Sequence, residues 1–110
     1  MDGSGWYQIK IERGVVGVVL HGEFDIVEAT DLEQALLPLV EQRGARVELE
    51  MSDVGFFGSS GLRALLTAHE HATRSGSSLA VVAESPGCTR LFELAGVAER
   101  LRGPRGDSSG

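Results

Sequence analysis

The chain has 110 residues, of which 42% are hydrophobic, and 16 acidic against 10 basic side chains leave a formal net charge of −6. That length suits one domain able to bury a core without disulfides or metals. The acidic balance excludes duplex nucleic acid, whose binding needs lysine and arginine on the phosphates, and argues against an anionic membrane surface.

Residues 1–6 read as a flexible leader; Met1 to Gly5 lacks the basic start and apolar stretch of a signal peptide, and Trp6 falls at its end. Ile9 and Ile11 alternate with polar neighbours from Tyr7 to Arg13, which predicts a half-buried strand. Gly14 marks a tight turn. Val15, Val16, Val18, Val19 and Leu20 form a nearly continuous apolar run, as expected of a strand buried on both faces. It is far too short to cross a membrane. The two strands are close enough for a hairpin.

From Ile26 to Arg43 the period changes to that of a helix, with Ala29, Leu32, Leu36, Leu39 and Val40 on its stripe. Pro38 should kink or shorten it, and Gly44 ends it. Val47, Leu49 and Met51 alternate with charged residues as a third strand. A loop is expected from Ser52 to Gly58, then a helix from Ser59 or Ser60 to Gly76 with Leu62, Leu65, Leu66, His69 and Ala72 on its apolar stripe. Leu79 to Ala83 is a short strand. Ser85-Pro86 is a cap and first-turn pair for a third helix carrying Leu91, Phe92, Leu94 and Ala95 and ending at Gly96. Val97 to Leu101 is too short to assign, and 103–110 reads as a disordered tail rich in Gly, Ser and Pro. Helices between strands predict an α/β fold with a partly parallel sheet. The domain spans residues 7–102.

The one cysteine, Cys88, cannot form an internal disulfide, and no cysteine–histidine spacing suits zinc, so neither a metal nor another cofactor is expected. Gly58-Ser59-Ser60-Gly61-Leu62 does not satisfy the serine-hydrolase elbow, because Leu62 stands where a glycine is needed. His69 and His71 fall in the helix after the serines, and His69 reads as a packing residue. His21, after an apolar strand, is open to either role. Glu23 and Asp25 read as solvated residues that cap the next helix. An enzyme is therefore not expected. The serines themselves have two readings. Either they cap the helix, satisfying its orphan N–H groups, or they mark an anion or phosphorylation site at a positive helix end.

Gly58-Ser59-Ser60-Gly61-Leu62 resembles the Asp-Ser-Ser/Thr-Gly-Leu signature of bacterial anti-sigma factor antagonists, the STAS family. Gly22-Glu23-Phe24-Asp25 is similar to the Gly-Glu-Leu-Asp after that family's second strand. Val47 to Val54 resembles the strand and turn before the signature, and Leu91 to Val97 its third-helix segment. The resemblance implies a STAS-like sandwich, a mixed sheet of four or five strands with helices mainly on one face. It implies a cytoplasmic protein that binds a kinase-fold anti-sigma factor and releases a sigma factor. Ser59, with Ser60 as second choice, would be phosphorylated by that partner and dephosphorylated by a serine phosphatase. Asp25, expected near that serine, would form the docking face with Gly58, Ser60, Gly61 and Leu62. Two departures stand out: Gly58 replaces the signature's Asp, and Glu50 stands where the family often has Asp. The family's final strand and fourth helix are expected to be short or missing. STAS domains also serve as non-phosphorylated scaffolds in signalling complexes and as regulatory subunits of lipid transporters, and both remain alternatives.

Overall fold

Arg13 and Gly14 both have positive φ, 53° and 80°, as a two-residue hairpin turn of right-handed twist requires. They join β1 (Trp6–Glu12) to β2 (Val15–Phe24) as an antiparallel pair. The computed structural model describes residues 5–103. After β2 come α1 (Ile26–Val40), β3 (Arg46–Phe57), α2 (Ser59–Ser75), β4 (Ser78–Glu84), α3 (Pro86–Leu94) and α4 (Ala98–Arg102). The described sheet has four strands in the order β1-β2-β3-β4, with β2, β3 and β4 parallel. The mixed α/β sandwich is therefore as expected.

The chain steps across the sheet in one direction, so crossovers of one hand put α1 and α2 on the same face, where they pack together. Their buried residues, Ala29, Leu32, Leu36 and Val40 of α1 and Gly61, Ala64, Leu65, Ala68 and Ala72 of α2, meet one face of the sheet. That face carries Val18, Leu20, Val47, Leu49, Met51, Leu79 and Val81.

Several expectations need correction. β2 is buried on one face only. Val15, Gly17, Val19 and His21 face away from the helices and are half-buried. Of the expected leader 1–6, residues 1–4 lie outside the described residues, and Trp6 belongs to β1. Ile9 and Ile11 lie on the helix side, because they pair with Val18 and Val16, yet both stay exposed. The expected loop from Ser52 is strand through Phe57, since the end of β2 pairs with it from His21 to Phe24. Two register irregularities there break the alternation that would have marked a strand. α1 stops at Val40 with Glu41 as its C-cap, short of the expected Arg43 and Gly44 and two residues after Pro38. The proline sits in the last turn on an exposed side, so only one backbone bond is lost and Glu41 N–H still reaches the Leu37 carbonyl at 3.1 Å. The unassigned segment contains α4, held by Arg102: its Nε and Nη2 donate to Glu84 at 2.7 and 3.0 Å. A fifth strand is absent among the described residues. Of the expected tail, only Gly103 is described; residues 104–110 lie outside the described residues.

Other expectations hold. Gly76 caps α2 with φ 76°, and the Ser85 hydroxyl accepts the Cys88 N–H before Pro86 opens α3. Gly61 has a reason beyond capping: a Cβ there would lie 2.7 Å from the Phe57 ring. That ring is wedged between Phe24 and Phe92, at centroid distances of 5.8 and 6.4 Å, and cannot retreat freely. Overpacking should outweigh the gain in helix propensity, so Gly61→Ala is expected to destabilise the fold by about 1–2 kcal/mol in urea denaturation. An unchanged or raised midpoint would show that the ring yields.

Candidate functional site

The parallel strands β2 and β3 end side by side, with Phe24 registered on Phe57. Gly58 N–H donates to the Phe24 carbonyl at 3.4 Å and fixes the two exits together. Each exit turns directly into a helix, so the N-termini of α1 and α2 lie next to each other. This is the end of an α/β sheet where loops and positive helix ends collect.

At the first exit, Asp25 is the N-cap of α1. It forms a capping box with Glu28, whose carboxylate accepts the Asp25 N–H at 3.2 Å. The capping role expected of Asp25 is therefore present. At the second exit Gly58 is the N-cap of α2 and has no side chain to offer, and no acidic residue stands in the first turn. The start of α2 thus has no side-chain cap and no acid of its own first turn. Ser59 is exposed and Ser60 half-buried. Both line a depression of about 290 Å³ with Ile26, Ala29, Thr30, Glu33 and Arg63. A neighbouring depression of about 340 Å³ holds Asp25, Glu23, Glu28, Val27 and Phe56, and Ile26 borders both.

The expected site residues divide. Asp25, Gly58, Ser59 and Ser60 share this surface. Gly61 is buried beneath Phe57, and Leu62 is half-buried against the core, so these two support the site from below. Phe57 is core and Phe56 is 50% exposed, the split expected of neighbours in an extended segment. The residues not foreseen are Ile26 and Val27, 65% and 68% exposed, and Arg63. Val27 carried a signal, an apolar residue off the helical stripe. Ile26 did not, because it lies in line with the stripe. Gly58 also gains a local meaning: a Cβ there would lie 3.0 Å from the Phe56 ring. Phe56 lies against the position where the signature's acid would stand.

A family model described as "Mlab, STAS domain" matches residues 7–103. The chain belongs to the STAS domain family. This STAS domain is 30% identical over 91 residues, 83% of each chain, to the anti-sigma-B factor antagonist of Bacillus subtilis strain 168. It superposes with TM-score 0.72 and 31% identity on the crystal structure of an anti-sigma factor antagonist from Mycobacterium paratuberculosis, covering 86% of this chain and 80% of that one. The unphosphorylated form of the antagonist SpoIIAA has the same fold, with TM-score 0.72 at 20% identity and coverages of 84% and 83%.

A depression of about 890 Å³ lies at the opposite end of the sheet. Arg46, Arg100 and Arg102 meet Glu48 and Glu99 there, so its charges are largely compensated. Its Ser77 hydroxyl is committed to the Val40 carbonyl at 2.5 Å. Among the described residues no three His, Cys, Asp or Glu side chains gather as a metal would require. No described helix is long and apolar enough to cross a membrane. His21 is tied on the open sheet face, with Nδ1 donating to Asp53 at 2.6 Å and Trp6 stacked on the ring at 4.2 Å.

His69 lines the large depression. Burial holds its imidazole below the ordinary 6.5 and the charge of Arg100 adds to this, while the Arg100 backbone opposes it. The unfolded chain therefore takes up this proton more readily. Stability is intact above the unfolded value and falls as the pH drops below it, until the folded group also protonates. The urea midpoint of wild type should fall more than that of His69→Gln between about pH 7.5 and about pH 5. Parallel curves would show that His69 contributes nothing.

Proposed function

We propose that this STAS domain is a cytoplasmic anti-sigma factor antagonist, docking onto a kinase-fold anti-sigma factor through the paired helix N-termini and switched by phosphorylation of Ser59. The observation that carries this is an exposed serine at an uncapped helix start, flanked by three exposed apolar side chains, Ile26, Val27 and Phe56. Apolar residues at a polar rim supply the affinity that a protein partner needs. The names of the relatives support the partner class.

The physics of the switch follows from the same surface. A phosphate on Ser59 adds about −2 of charge beside the N-terminus of α2 and Arg63, which the folded domain tolerates. Once docked, that dianion must be desolvated within a close interface. Phosphorylation thus lowers affinity without unfolding the domain, and a serine phosphatase restores it. The domain acts by binding and needs no catalytic group of its own.

One observation favours a second reading. Gly58 removes the acid that precedes the serine in the family signature, as a scaffold that is never phosphorylated would allow. A single comparison separates the two. Tagged wild type and Ser59→Asp are used to capture partners from a lysate of the native host, with mass spectrometry of the bound proteins. The switch requires wild type to retain a kinase-fold anti-sigma factor and Ser59→Asp to lose it. Equal capture by both forms would leave the scaffold reading. Phe56→Ala should weaken the captured complex about tenfold or more while leaving the fold intact, since the ring is half in solvent. Unchanged affinity would move the docking face elsewhere.

A further inference from the structure

β1 is the outermost strand of the described sheet, and no described strand pairs with its outer edge. Glu12 and Val15 close the two-residue turn, so the N–H and C=O groups of Glu12, Lys10 and Gln8 point toward β2. Those of Tyr7, Ile9 and Ile11 then point outward. The helices stop short of this strand, leaving Ile9 46% and Ile11 71% exposed on the helix side. Lys10 and Glu12 alternate with them and project from the opposite face.

We propose that β1 is a self-association edge, pairing antiparallel with β1 of a second copy across a two-fold axis at Ile11. The charges choose both the occupant and the register. A lysine in an edge strand discourages pairing with strands at large, because each new strand must leave it unopposed or match it. A second copy matches it. Centred on Lys10, the pairing would set lysine against lysine. Centred on Ile9, it would set Lys10 against Gln8 and leave both charges unmatched. Centred on Ile11, each Lys10 faces Glu12 of the second copy, and Ile11 meets its own copy on the other face. The outward amides of Ile11 are in phase for this pair. The two sheets become one eight-stranded sheet whose helices share a side. Ile11 pairs with Val16 near the start of β2, whereas the serine surface follows Phe24 at its end, about 26 Å away along the strand. The dimer therefore leaves two serine surfaces free.

The interface is small, so association is expected on the order of 100 μM rather than nanomolar. The test is sedimentation velocity of the 110-residue protein from about 10 μM to about 1 mM, the range in which small interfaces associate. Wild type should shift from monomer to dimer. Lys10→Glu, which sets carboxylate against carboxylate twice, should weaken dimerisation about tenfold or more, and Lys10→Glu with Glu12→Lys should restore it. Ile11→Lys should leave a monomer of unchanged circular dichroism. A wild type that stays monomeric at the highest concentration overturns the proposal. So does a dimer indifferent to Lys10→Glu, or one that the double exchange fails to restore.

Discussion

The Phe57 ring is the contact on which the serine end of this domain depends. It comes from the last residue of β3, touches Phe24 at the end of β2 and Phe92 in α3, and occupies the space that Gly61 leaves in the first turn of α2. Four elements are thus located by one buried side chain. The start of α2 can approach the sheet closely only because Gly61 has no Cβ. That approach sets where Ser59 emerges. A backbone bond from Gly58 to Phe24 then ties the exit of β3 to the exit of β2. Burial of large aromatic surface in a close-packed interior makes such a junction stiff.

Above that core, two helix N-termini are handled differently. α1 starts with a capping-box pair, Asp25 at the cap and Glu28 in the first turn, whose carboxylate accepts the Asp25 N–H. α2 starts from a glycine and keeps its positive end without a side-chain cap. The difference is electrostatic: one end is already neutralised and the other is receptive to an anion. The apolar side chains Ile26, Val27 and Phe56 stand between the two ends.

The β4 edge of the sheet follows another logic. Glu84 is almost fully buried and takes two hydrogen bonds from Arg102 and one from Thr89. This pins α4 against the end of β4, closing the core over Leu101. Bonds to a charged acceptor in a partly dry setting are stronger than those at the surface, which gives a five-residue helix an anchor it could not supply by itself.

Sequence periodicity by itself determined the order of elements from β1 to α3, the stripe of α1, the hairpin turn and the capping of α3, because these rest on local spacing and backbone preference; the buried face of α2 is instead Gly61, Ala64, Leu65, Ala68 and Ala72, with Leu62, Leu66 and His69 only half-buried beside it. The segment from Phe56 to Leu62 was legible as a candidate site for the same reason: small residues between a strand and a helix mark a helix start. Tertiary structure alone decided the rest. The apolar run of β2 cannot say that only one face is covered, since that depends on both helices crossing on one side. The continuation of β3 to Phe57 was hidden because pairing with β2 overrides the broken alternation. Gly61 reads locally as part of a motif, yet its space belongs to a ring four residues earlier. Ile26, Ala29 and Glu33 became neighbours of Ser59 only through the parallel pairing of two distant strands, whereas Arg63 lies one turn along the same helix. Spacing along the chain carries local preference, and the site is made by contacts between residues far apart in it.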